Sequence, residues 1–296
     1  PEINDGQLCL RGRFCMPEAT HHHLRARKPM LKRGAYFRQA SWSEALEDIA
    51  SRLKDLSPED FFMLVAPDRT NESLYVARKF VREGLGSNNL DSTARWSLPG
   101  GPEVWKRLFS LPISIRGLAE AETVMAVGLD SRFSFSVAGV EIRKALKKGA
   151  KLLTIDSRES NLARYAGHWL RPVPGAEGET LLAVAERLAE GGKSRSRGPI
   201  PGGLTSREME EAVRFLGSAE KAAVVVGPAV FALQDGGAAA RALLLLADRP
   251  GTIFLPLYQG ANSRGVLELG LLDDPSLKIE DVWSGRRRPK VIYLVG

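Results

Sequence analysis

At 296 residues, 44% hydrophobic and 26% charged, the chain can bury a large core and reads as one large or two modest globular domains. No run of about 18 apolar residues occurs, which excludes insertion into a membrane as an apolar helix. The net charge of +7 is scattered, with small basic clusters at 193–197 and 286–290 but no aromatic-interleaved basic surface, so it reads as solvated surface or a face towards an acidic partner subunit rather than a nucleic-acid site.

Ser41 and Glu44 form a capping box, and Ala45, Leu46, Ile49, Ala50 and Leu53 follow at helical spacing. Residues 61–66 are a short continuous apolar run, typical of a buried parallel strand. A helix is predicted over 70–82, with Leu74, Tyr75, Ala77 and Val81 inward and Gly84 or Gly86 closing it. Strand 122–127, helix 134–148 and strand 151–155 make a strand–helix–strand unit, and helix 181–189 follows. Residues 191–203 read as a linker rich in Gly, Ser, Arg and Pro. Beyond it, Thr205 and Glu208 form a second capping box opening a helix to about residue 216. Strands at 222–226, 252–257 and 291–295 close the chain, with helix 238–247 between the first two.

This alternation predicts an α/β protein with parallel sheets flanked by helices, in two lobes. Strands 61–66, 222–226, 252–257 and 291–295 are expected to share one sheet, and strands 122–127 and 151–155 to form a second. The corresponding division is a leader remnant at 1–40, a discontinuous lobe at 41–118 plus 204–296, and an inserted Rossmann-like lobe at 119–203. The chain begins without Met and stops just after an apolar run, so it is expected to be a piece of something longer. Two cysteines make no disulfide framework and predict a reducing, cytoplasmic compartment.

Few residues point to chemistry unaided. His21, His22 and His23 are adjacent and surrounded by Arg25, Arg27 and Lys28, a poor arrangement for one metal ion. The Gly-x-Gly-x-x-Gly and Gly-x-Ser-x-Gly patterns are missing, so neither a standard NAD site nor a hydrolase elbow is indicated. Asp156 ends a predicted parallel strand, where α/β sheets bind nucleotides.

Several segments in order resemble the large subunit of molybdopterin oxidoreductases, the group containing formate dehydrogenase and the G-type chain of NADH–quinone oxidoreductase. Residues 6–14 resemble the segment carrying the last cysteine ligand of an N-terminal iron–sulfur cluster. Residues 41–46 (Ser-Trp-Ser-Glu-Ala-Leu) are similar to a family helix start. Residues 70–75, 79–82 and 86–91 match a further block densely, and 149–158 resemble a strand end reading Gly-Ala-Lys-Leu-x-x-Ile-Asp-Pro-Arg. Residues 174–177 stand at the family's Pro-Gly-Thr-Asp, and 262–265 with 269–270 resemble a late loop closest to the quinone-oxidoreductase branch.

The resemblance implies a fold like domains 1–3 of formate dehydrogenase, and it implies [4Fe–4S] and molybdopterin guanine dinucleotide for the family. At the family's Cys/selenocysteine–His position this chain has Ser97 and Leu98. A serine oxygen is harder and far less readily ionised than a thiolate, and leucine carries no proton. No catalytic residue is therefore assigned. Cys9 would be a single cluster ligand only if an upstream segment supplies the other three; with Cys15 it otherwise reads as a plain thiol. Arg11 stands where many relatives have a lysine between cluster and pterin, and would be a fixed cation beside that path or a surface arginine.

Gly128, Asp156, Arg158 and Glu177 match the region holding the guanosine end of the dinucleotide. Asp156 would accept from a ribose hydroxyl, Glu177 from a guanine edge, and Arg158 would pair a phosphate. Alternatively, Asp156 and Glu177 are helix-start acids. Relatives usually have Asn where Asp130 stands, and an acid there repels a diphosphate. The expectation is that this chain carries no cofactor of its own and is a scaffold and docking module of a larger electron-transfer subunit, with other subunits of a redox complex as partners. The alternative is an active formate dehydrogenase-type enzyme with serine or water on molybdenum or tungsten.

Overall fold

The computed structural model describes residues 6–111, 115–191, 200–273 and 276–296. At the N-terminus, α1 (Leu10–Phe14) and α2 (Met16–His21) precede a hairpin of β1 (Met30–Arg33) and β2 (Tyr36–Gln39). The Cys9 sulfur caps α1, accepting from Gly12 N–H at 3.3 Å. His22 stacks on His23, and its Nδ1 accepts from Leu24 N–H.

The main body follows the capping signals closely. Helix α3 (Trp42–Leu53) starts at the reciprocal box, with Glu44 N–H on Ser41 Oγ at 3.1 Å and Ser41 N–H on Glu44 Oε2 at 2.8 Å. Strand β3 (Phe61–Val65) leads to α4 (Asn71–Lys79), capped by Thr70 and extended by a π turn at Phe80–Gly84. Strand β4 (Leu90–Ser92), a 3-10 turn at Thr93–Ser97, and α5 (Pro102–Ser110) come next. Then follow β5 (Thr123–Val127), α6 (Ser136–Lys147), β6 (Lys151–Ile155), β7 (His168–Leu170) and α7 (Glu177–Ala189). Residues 192–199 of the expected linker lie outside the described residues. After it come α8 (Ser206–Gly217), β8 (Ala222–Val226), α9 (Pro228–Phe231), α10 (Gly236–Ala247), β9 (Thr252–Pro256), α11 (Ser263–Glu268), α12 (Ile279–Trp283) and β10 (Val291–Val295).

The α/β class with helix-flanked parallel sheets is what the sequence predicts. The sheet membership is not. One sheet has the order β10-β3-β4 and the other β7-β6-β5-β8-β9, all pairings parallel. Strands 222–226 and 252–256 therefore join β5 and β6; only 291–295 returns to β3. Thr123 sits opposite Ala222, and Ala222 opposite Thr252. The physical reason is burial. Every residue of β8, Ala-Ala-Val-Val-Val, is buried, and such a strand belongs inside a sheet covered on both faces. The expected linker does not mark a change of sheet: α7 before it and α8 after it contribute to the same core.

Alternate residues of the larger sheet feed two cores. Met125, Val127, Leu153, Ile155, Val224 and Val226 face Leu181 and Val184 of α7, Met209 of α8 and Leu243 of α10. Val124, Ala126, Leu152, Ala223 and Val225 face Ala138, Ile142 and Ala145 of α6. Among the described residues no helix is long and apolar enough to cross a membrane.

Candidate functional site

Apart from Cys9, which lies exposed at the start of α1, the residues singled out by sequence fall in two regions at the carboxyl ends of the sheets. The first surrounds Ser97. Asp91, wholly buried, accepts from Arg95 Nε at 2.9 and 3.0 Å, from Ser92 N–H at 2.8 Å and from Ile279 N–H at 3.1 Å. Arg95 also donates to the Leu272 carbonyl, and Ser92 Oγ donates to Val65 O at the end of β3. The turn bearing Ser97 is thus tied to β3, α12 and the Leu272 segment. Ser97 Oγ lies 3.1 Å from Ala94 O and 3.3 Å from Gln259 O, two acceptors between which its one proton is shared. Leu98 is buried in the main core. Beside Ser97 opens a cavity of about 540 Å³ lined by Asp68, Thr93, Trp96, Pro228 and Gln259.

The second region is the carboxyl end of the five-stranded sheet. The structure brings Gly128, Asp156, Arg158 and Glu177 there. Gly128 ends β5, and its N–H donates to Ile155 O of β6. Asp156 is buried, with Oδ1 accepting from Arg158 N–H at 3.1 Å. Burial pushes its carboxyl above the ordinary aspartate range; Glu177 and Asp130 push the same way, and Arg158 opposes them. Glu177 opens α7 and accepts from Gly175 N–H at 2.9 Å, so it does serve as a helix-start acid.

Sequence reasoning missed two members. Asp235 Oδ2 accepts from Glu179 N–H at 2.9 Å, capping the start of α7 from a distant loop, and burial raises its carboxyl too. Asn161 holds Ser131 twice, accepting from its N–H at 2.9 Å and donating to its Oγ at 2.8 Å. Neither contact is local, so no capping pattern in the sequence marks it.

The molybdopterin oxidoreductase family profile matches residues 25–296. The chain belongs to the molybdopterin oxidoreductase family. It is 27% identical over 346 residues to the alpha chain of F420-dependent formate dehydrogenase 2 of Methanococcus maripaludis, covering 99% of this chain and 51% of that protein. The G 2 chain of NADH-quinone oxidoreductase from Rhizobium meliloti is 26% identical over 289 residues, covering 91% of this chain and 33% of that protein. The chain thus spans about half or less of the length of these relatives. Acetylene hydratase from Pelobacter acetylenicus shares the fold, with a TM-score of 0.64 at 18% identity, covering 83% of this chain and 38% of that one. Both of these relatives are named as subunits of oxidoreductases.

Membership of the molybdopterin oxidoreductase family implies a molybdopterin cofactor. A serine ligand must give up its proton to become an alkoxide. The Ser97 proton is instead engaged by backbone carbonyls, and neighbouring Leu98 faces the core. At the other region the carboxylates of Asp156 and Glu177 suit ribose hydroxyls and a guanine N–H edge. A diphosphate is suited less well, because Asp130 and Glu177 act on Asp156, and Glu177 on Asp235, so this end of the sheet is rich in carboxylates, with Arg158 and Arg132 as the cations beside them. Among the described residues, Ser97 and Leu98 do not supply the metal-side donors of the group.

Proposed function

We propose that this chain is a molybdopterin-oxidoreductase-like scaffold and docking module within a larger electron-transfer subunit, without molybdenum chemistry of its own. The carrying observation is the Ser97–Leu98 position. A hydroxyl whose proton is held by Ala94 O and Gln259 O, next to a core leucine, supplies neither a soft anionic ligand nor a proton carrier. Other subunits of a redox complex are the partners in this reading, in the cytoplasm. Cys9, exposed at the start of α1, would be one ligand of a [4Fe–4S] cluster only if a segment preceding it supplies the other three.

The test is elemental analysis of the chain after expression in a host that makes the cofactor. Substoichiometric molybdenum and tungsten support the scaffold; about one metal per chain overturns it. The cavity beside Ser97 favours the second reading, a formate dehydrogenase-type oxidoreductase with serine or water on molybdenum or tungsten. Metal at stoichiometry that is lost in Ser97→Ala would establish that reading.

A further inference from the structure

Strand order in the larger sheet runs from β5 through β6 to β7 on one side and through β8 to β9 on the other. The switch point lies between β5 and β8, and open parallel sheets bind nucleotides in the crevice outside the carboxyl ends at such a point. Here the chain itself fills that crevice. A Cβ on Gly227 would overlap the Gly128 carbonyl, and a Cβ on Gly128, at φ +55°, would overlap the Val230 side chain. The two loops therefore touch, backbone against backbone, where a phosphate would need room.

Five amides of the loop after β5 already have acceptors within the chain. Gly128 N–H donates to Ile155 O, Ser131 N–H to Asn161 Oδ1, and Phe133 and Ser134 N–H to Asp130 O. Arg132 N–H donates to Asp130 Oδ1 at 3.1 Å. The Arg132 guanidinium grips the same carboxylate, Nε to Oδ1 at 3.0 Å and Nη2 to Oδ2 at 2.6 Å. Asp130 is 6% exposed, so this carboxylate is seated in the fold and does not wave in solvent.

We infer that the loop after β5 is a self-filled anion seat, in which the Asp130 carboxylate occupies the Arg132 N–H and guanidinium that would otherwise receive a nucleotide diphosphate. An incoming phosphate oxygen asks for the same two donors. It must displace a carboxylate tethered two residues away, which competes at high effective concentration. It must also approach Asp156 and Glu177, both close enough to interact with this loop or with each other. The seat closes the crevice to diphosphates while keeping Arg132 neutralised, so the fold is preserved where the binding function is not.

This inference rests on the geometry of the loop and not on the scaffold reading, which metal content tests separately. Titration calorimetry of the whole chain in magnesium-free buffer is the experiment, with GDP, inorganic pyrophosphate and guanosine as probes. The parent should show no binding of GDP or pyrophosphate. Asp130→Asn should bind both measurably, at least about tenfold tighter than the detection limit that bounds the parent, the effect of one like charge removed at near contact. Guanosine should stay silent. Adding Arg132→Gln to Asp130→Asn should abolish the gain. Glu179→Gln, which removes an exposed carboxylate in the first turn of α7, should leave the parental result unchanged. Asp130→Ser carries the same expectation if Asp130→Asn does not fold. GDP binding by the parent, no gain on removing the Asp130 charge, or an equal gain in Glu179→Gln would each overturn the inference.

Discussion

Arg95 donates one Nε–H to both carboxylate oxygens of Asp91, four residues earlier, and Asp91 is wholly buried while Arg95 keeps 19% exposure. The pair spans the turn that carries Ser97 and reaches α12 and the Leu272 carbonyl. Asp91→Asn keeps the shape and removes the charge. It leaves the guanidinium without its counter-ion, a loss of about 3 kcal/mol or more. Urea unfolding should show a lower midpoint with unchanged slope; an unchanged midpoint would show that the pair contributes nothing net.

The raised carboxyl of Asp156 makes stability depend on pH. An acid held above its unfolded value of about 3.9 contributes stability fully below that value, and the contribution is lost as pH rises through the folded value. Asp156→Asn keeps an acceptor for Arg158 N–H and removes this dependence. Melting at pH 4 and pH 7 should show the variant gaining on the parent as pH rises. A parent–variant difference constant across that range would contradict the assignment.

Asp130 has the opposite sign. The Arg132 guanidinium holds its carboxyl below the ordinary range, so its stabilisation is present above the unfolded value and lost as pH falls through the folded one. Asp130→Asn should lower the melting temperature at pH 7 and converge with the parent towards pH 2. A deficit that persists at acid pH would locate the effect in packing instead.

Two glycine substitutions should go in opposite directions. Gly227→Ala drives a methyl into the Gly128 carbonyl and should cost about 2 kcal/mol, the scale of an overpacked site. Gly237→Ala, inside α10 with nothing within 4 Å of the added carbon, should gain about 0.5 kcal/mol. Chemical denaturation of both gives the comparison, and equal losses would mean that the close approach at the switch point is not tight.

Local signals in the sequence carried over into structure wherever the physics is local. The boxes at Ser41 and Thr205 cap α3 and α8 as their spacing demands, and β8 occupies the residues its apolar run marks. Glu177 opens α7, as one of the two readings of the acid pair had it, whereas Asp156 follows β6 and opens no helix. Sheet membership was not, because parallel pairing joins residues far apart and leaves no local trace. Short strands such as β4 and β7 are half hidden for that reason, each being three residues long. Asp235 and Asn161 escaped notice because their hydrogen bonds cross from one loop to another. The segments resembling the family located Ser97 and Asp156, but the partners that hold each proton or carboxylate emerged only in three dimensions.

The pairing of β10 with β3 sets a schedule for folding. Val291 lies beside Phe61, so the smaller sheet cannot be completed until the far end of this stretch has been synthesised. At roughly 5–20 residues per second, β3 waits on the order of ten seconds or more for its neighbour on that edge. During that interval an apolar strand presents unpaired N–H and C=O groups, the arrangement most exposed to wrong partners. The five-stranded sheet has all its strands by Pro256 and can form first, a platform on which the smaller sheet closes last. Pulse-labelling hydrogen exchange during refolding should therefore protect β5, β6 and β8 before β3 and β10, and newly made chains should need a chaperone most in the window before residue 291 emerges.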